Sequence, residues 1–460
     1  MKRATILIIF LTLFYAGPGR WVEGRSLVGG DAGQASGFVL PILKRDSLLN
    51  GLHLIVLEQK GTGSVTARLR VNSGGLFDLA NKGGLADLTA GMLLRGGGGL
   101  TPASIRDLVE VAGLKVNIEV GWDSTDITMS GPAETLDTIF ELMGRLVITP
   151  GFDQKELDAL KAERVAAIKA ESSDDGKTVR RKALEAVFGA HPYGRPLRGT
   201  VESLEKISRP DITYFHERFY IANNSELIVT GDAAAEAVTQ LARSRLGAWK
   251  KGNKVPATFR PPEPAQTRRL MLNDRPGAEV AHATVAHVGI GRRASDYFAA
   301  MIMAEVLSES SARLGGGSVT IETVVEPRYL PGPLMINLKG SPGEIVDKVE
   351  GVLGIMTDLQ TRQAPLDQIE AAKGRIINEF AGRLRSADGT TGIVLDIELY
   401  GLGKDYLVNF VDRVKAVAPG DVLRAAQTYL KPNTSVVVVA GPASQLETSL
   451  KRLGAVTALP

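Results

Sequence analysis
No cysteine occurs in this chain, which excludes disulfides, thiolate metal sites and a cysteine nucleophile. Export does not require disulfides, so the absence is compatible with a periplasm or an extracellular space. Histidine is scarce too: His53, His191, His216, His282 and His287 are the full set. His282 and His287 have opposite parity on an alternating segment, so they leave a strand on opposite faces and form no ligand pair. His191 stands in a loop, where a structural hydrogen bond is the default reading. No excess of one charge sign is present. The formal net charge is +3 and no basic cluster is interleaved with aromatics, which argues against a nucleic-acid partner. The glycine runs Gly96–Gly99 and Gly315–Gly317 lack the Lys-Ser/Thr of a phosphate loop and read as turns, with a substrate-contacting loop as the alternative. Ser310-Ser311 has no motif context for a nucleophile.

Long apolar runs are also missing. Lys2 and Arg3 precede an apolar run, Ala4–Ala16, which is shorter than the ~20 residues a membrane span requires. A cleaved export signal over residues 1–25 is the reading, with small-residue chemistry at Val22-Glu23-Gly24 and an uncleaved anchor as the alternative. No cysteine follows that could carry a lipid, which excludes a lipoprotein anchor; with the signal cleaved, no stable membrane anchor is expected. What remains is ordinary globular composition, 44% apolar and 23% charged. The chain's 460 residues exceed what one core supports.

Residues 26–44 read as a Gly/Ser-rich N-terminal extension. Beyond it Asn50–Val56 predicts a turn and a strand, and the alternation of Ser64–Val71 predicts a half-buried strand. Gly83–Leu94 reads as a helix ended by Gly96–Gly99. Thr101-Pro102 starts another, with a cap and a first-turn proline. Strands are predicted at Val116–Val120 and Ser124–Ser130, then a helix over Pro132–Leu146. Asp153 with Glu156 reads as a capping box opening a further helix. A helix near Pro210–Tyr220 leads to a buried strand, Ser225–Thr230, and Lys250–Gln266 reads as a linker.

The second part repeats the first. Ala281–Gly289 and Tyr297–Leu307 echo Ser64–Leu94, and Leu334–Leu338 with Gly343–Leu359 match Ser124–Leu146. Pro365–Phe380 mirrors Phe152–Ile168, and Ala418–Tyr429 with Ser435–Gly441 mirrors Arg209–Gly231. One order of elements, twice, argues duplication. The expected class is α+β: two homologous α/β-roll domains, 45–249 and 267–460, joined by a linker at 250–266. Each would carry a largely antiparallel sheet with helices on one face.

Lys82–Gly99 reads KGGLADLTAGMLLRGGGG. This stretch, NGLHLIVLEQ and HPYGRPLRGTVESLEKISRPDITYFHERFYIANNSELIVTGD resemble, in order and spacing, the insulinase/pitrilysin-like zinc metallopeptidases of processing-peptidase type. The resemblance covers roughly residues 45–450. It implies two halves, or two subunits, closing like a clamshell around an unfolded peptide. In that family a helix carries His-x-x-Glu-His, whose histidines ligate zinc while the Glu activates water. The matching positions here are Asp87, Ala90 and Gly91. The third ligand, a Glu on the later helix, falls at Ala166-Ala167-Ile168, with Glu163 and Glu171 about a turn away on either side. A catalytic zinc needs three protein ligands and an open position, so the resemblance implies a chain that binds no zinc itself. Asp87 reads as an early-helix carboxylate favoured by the helix dipole rather than a residual ligand.

An Arg and a Tyr help hold the peptide in active relatives. Tyr329 takes the tyrosine position and Glu322 the arginine's, and a Glu cannot donate to a peptide carbonyl. Arg328 and Tyr329 are the substrate-binding candidates, although Pro327 and Pro331 equally suit a surface turn. The function expected is that of an exported, non-catalytic partner of a zinc-bearing paralogue in a peptide-degrading or processing heterodimer. The alternatives are a scaffold or peptide-binding protein on the same fold, and a peptidase with unusual ligands.

Overall fold
A computed structural model describes residues 42–256, 258–316 and 318–459. The expected export signal and most of the N-terminal extension lie outside these residues. The first sheet is built from β1 (Lys44–Ser47), β2 (His53–Glu58), β3 (Ser64–Val71), β4 (Lys115–Val120), β5 (Thr125–Pro132) and β6 (Ser225–Gly231), in the order β1-β2-β6-β3-β5-β4. The second contains β7 (Arg269–Asp274), β8 (Ala281–Val288), β9 (Thr320–Val325), β10 (Pro333–Gly340), β11 (Val436–Gly441) and β12 (Val456–Ala458), in the order β12-β7-β11-β8-β10-β9. Deleting the outermost strands β1 and β12 leaves two superposable five-strand orders. In each, one parallel pair (β2 with β6, β7 with β11) joins an antiparallel remainder. The duplication and the α+β class both hold.

Local signals explain most elements. The alternating run Ser64–Val71 is β3 itself. Thr101 Oγ1 accepts from the Ser104 N–H, and Pro102 opens the helix Pro102–Val111. Two local readings change. Pro132 closes β5 instead of opening a helix, and a short 3₁₀ turn intervenes before the helix Leu136–Ile148. Asp153 does cap the helix Gln154–Glu171, accepting from Lys155 and Glu156 N–H, but Glu156 does not complete a box: its carboxylate turns to Arg95, 3.5 Å away.

Each half packs its own helices on one sheet face. In the first, Leu54, Val65, Leu69, Ile127 and Leu227 meet buried residues of helices Leu85–Leu93, Leu136–Ile148 and Arg209–Phe219. Part of the other face is covered crosswise by the opposite half. Helix Asp175–Phe188 of the first half lays Val179, Ala183 and Val187 on Ala286, Val436 and Val438 of the second sheet. Helix Ala387–Tyr400 of the second half lays Val394 and Leu395 on Ile55 and Ile228 of the first. Every residue of β6 and β11 is therefore buried; β11 runs apolar without alternation, and β6 has an apolar centre, Leu227–Val229, flanked by the buried polar residues Ser225, Glu226 and Thr230. At roughly 1.5–3 kcal/mol per fully buried aliphatic side chain, this exchange of helices is a principal bond between the halves.

Charged groups fix the crossing. Arg70 of β3 donates to both Asp126 oxygens at 2.6 and 2.7 Å and to Asp396 of helix Ala387–Tyr400 at 2.9 Å. On the other side, Arg275 donates to Asp175 at 2.5 Å. No described helix is long and apolar enough to cross a membrane.

Candidate functional site
The frame helix, Leu85–Leu93, starts at Gly84, which adopts φ +91°, a conformation glycine takes without strain. The Asp78 carboxylate fills its N-terminus, accepting from Gly84 N–H at 2.7 Å and Ala86 N–H at 2.8 Å. Burial pushes the Asp78 carboxyl up to about 7 against the pull of those two bonds.

Asp87, in the first turn, faces the helix Gln154–Glu171. Its Oδ2 accepts from Arg164 Nε at 2.6 Å, and the two side chains retain 13% and 22% exposure. Ala90 is buried. Gly91 lets the second helix approach: a Cβ there would stand 2.9 Å from Leu160 Cδ2 and 3.5 Å from Arg164 Nη2. The two acids flanking Ala167 point elsewhere. Glu163 pairs with Arg95 at 2.6 Å, and Glu171 lies 3.4 Å from Lys177 and 3.6 Å from Arg198.

These residues do not fit a zinc ion. The frame offers one carboxylate, already paired, two positions without donors, and a guanidinium that would repel a cation. Among the described residues no group of three or more His, Cys, Asp or Glu could hold a metal. The Asp87–Arg164 pair links the two helices that a metal would otherwise link. Arg164 was not singled out in the sequence, because a partner 77 residues away leaves no local signal.

The two substrate-binding candidates lie at the junction of the halves. Arg328 is only 5% exposed, so it is not on a surface turn. Its guanidinium lies 4.6 Å from the ring centroids of both Trp122 and Tyr193, and Nη2 donates to Glu326 at 2.7 Å. Tyr329 is half-buried. Its N–H donates to Asp123 Oδ2 at 2.7 Å, and its hydroxyl accepts from Arg293 at 3.0 Å. Glu322 sits exposed on the edge strand β9, across from Asn337.

Asp123, which sequence reasoning missed, organises this junction. Besides the Tyr329 N–H it accepts from the hydroxyls of Tyr193, at 2.9 Å, and Tyr400, at 3.1 Å. One carboxylate thus joins a loop of the first half to two elements of the second. Burial raises its pKa, opposed by those bonds and by nearby Arg328. His191 takes the structural role expected, its Nδ1 accepting from Tyr193 N–H at 3.2 Å and its Nε2 facing the Arg260 carbonyl at 3.2 Å. Gly98 packs against Arg145 within the Gly96–Gly99 turn, where a Cβ would come within 2.6 Å of that side chain.

A duplicated α+β scaffold, with a zinc-peptidase helix frame closed by an ion pair, defines the class. Residues 54–201 match the insulinase (peptidase family M16) domain, and residues 206–374 match the peptidase M16 inactive domain. The mitochondrial-processing peptidase subunit beta of Lentinula edodes is 23% identical over 421 residues, spanning 85% of this chain and 88% of that one. The non-peptidase homolog YmxG of Helicobacter pylori is 21% identical over 235 residues, 51% of this chain and 52% of its own length. The crystal structure described as a peptidase M16 inactive domain from Pseudomonas fluorescens superposes with a TM-score of 0.79 at 21% identity, covering 87% of this chain and 98% of that one. The chain belongs to the insulinase family, peptidase family M16.

Proposed function
We propose that this chain is the exported, non-catalytic partner of a zinc-bearing paralogue, and that the pair degrades or processes unfolded peptides. The observation that carries the reading is the selective change at the frame. The fold around it is kept, while the metal positions hold Asp87, Ala90 and Gly91 and the gap is closed by Arg164. Zinc would then reside in the partner, and this chain would supply half of a chamber. The likeness to a processing-peptidase subunit supports a paired arrangement. The edge strands β4 and β9 support a role in peptide holding, because an extended peptide can add to an open edge by main-chain hydrogen bonds with little sequence preference. Export rests on the pattern of residues 1–25.

The test is affinity purification of the tagged chain from its native extract, followed by an assay of the eluate on an unfolded peptide. A similar-sized chain bearing His-x-x-Glu-His, with chelator-sensitive cleavage, is the expected result. A chain that elutes alone and inert would overturn the partner role in favour of a scaffold or peptide-binding protein. Cleavage by the chain alone would overturn the reading of the frame.

A further inference from the structure
The second half carries its own counterpart of the frame helix, Tyr297–Leu314, which follows β8 as Leu85–Leu93 follows β3. The two helix N-termini differ. In the first half the connecting segment 72–84 supplies Asp78, whose carboxylate occupies the helix N-terminus. In the second the connection is only 289–296, and no side chain caps the helix; the Asp296 carboxylate accepts instead from the Tyr429 hydroxyl at 2.6 Å. The shorter connection leaves an open cleft of about 870 Å³ in front of that helix, within the roughly 300–1,000 Å³ typical of small-molecule sites.

The lining favours one chemistry. Arg292 stacks over Tyr297, 4.2 Å from the ring centroid, and donates to the Tyr406 hydroxyl at 2.8 Å, which holds its guanidinium rigid. Arg293 and Arg413 also line the cleft, and Arg413 forms no ion pair or hydrogen bond with the described residues. Arg424 is already neutralised by Asp421. Planar guanidiniums bind carboxylate or phosphate in bidentate fashion. Asp296 and Asp421 on the same wall would repel a polyphosphate but suit an ammonium group. The aromatic walls suit an apolar side chain.

We propose that this cleft binds the free carboxyl end of a short peptide, with Arg292 and Arg413 on the carboxylate and Tyr297 against the last side chain. The ligand carboxylate takes the place at the helix N-terminus that Asp78 fills in the first half. The site lies within one half and needs no partner subunit, so it stands or falls separately from the heterodimer.

The experiment is isothermal titration calorimetry of the purified full chain with three probes: the tripeptide Ala-Ala-Phe as free acid, its C-terminal amide, and inorganic pyrophosphate. Saturable binding of the acid is expected, with the amide at least about tenfold weaker. Arg413→Gln, at an exposed position that leaves the fold intact, and Arg292→Lys, which keeps charge but loses the fork, should each weaken the acid by about tenfold. Equal binding of acid and amide, tighter binding of pyrophosphate, no binding of the acid, or an Arg413→Gln affinity equal to wild type would each overturn the proposal.

Discussion

If the ion pair at the frame is a structural replacement for a metal link, removing Asp87 should cost stability and nothing else. The pair is short, 2.6 Å, and its side chains keep 13% and 22% exposure. It therefore lies between two regimes: exposed pairs contribute about 0.2–1 kcal/mol, and orphaning one member of a buried pair costs about 3–5 kcal/mol. Asp87→Ala is expected to destabilise by about 2 kcal/mol, most of it from leaving Arg164 unpaired against Gly91 and Leu160. Arg164→Met in the same chain removes the orphan, and the double variant should return to within about 1 kcal/mol of wild type. Urea titration of the four chains of this cycle, followed by circular dichroism, gives the coupling. Calorimetry with Zn²⁺ on the same samples reads metal affinity. Wild-type stability in Asp87→Ala, or a zinc affinity of the wild type that depends on Asp87, would refute the argument.

Restoring the motif alone should fail. In Asp87→His/Ala90→Glu/Gly91→His, a side chain at 91 must enter space within 2.9 Å of Leu160, costing about 1–3 kcal/mol; zinc retained after dialysis should stay well below one per chain until Arg164→Ala and Ala167→Glu are added. Asp123→Ala strands three donors, two of which, the Tyr329 N–H and the Tyr400 hydroxyl, tie the halves together. It should lower stability by about 3 kcal/mol or more and speed proteolysis within 250–266. Glu226 gives a pH signature. Burial pushes its carboxyl from 4.5 up to about 7, with Asn72 as its hydrogen-bond donor. A raised folded-state pKa stabilises below pH 4.5, and that contribution is lost as pH rises to about 7, up to about 3 kcal/mol at 1.36 kcal/mol per unit. Glu226→Gln should therefore be more stable than wild type at pH 8 and close to it at pH 4.5, as measured by urea midpoints. A pH-independent difference would sink that assignment.

Much of this molecule is written locally. The alternation of Ser64–Val71, the Thr101-Pro102 cap and the repeated order of elements specify strands, helix starts and a duplication, because periodicity and capping depend on neighbours a few residues apart. That Ala90 and Gly91 carry no metal-donor group is equally legible, since a residue type either carries a donor or does not. What the sequence did not determine is which surfaces meet. Nothing in Asp175–Phe188 says that its apolar face belongs to the other half's sheet, and nothing near Arg328 says that two aromatic rings enclose it. Arg164 finds Asp87, and Asp123 finds Tyr329 and Tyr400, across separations at which no periodic signal survives. Apolar periodicity fixes that a face is buried; only packing of the whole chain decides against what, because hydrophobic burial is non-directional.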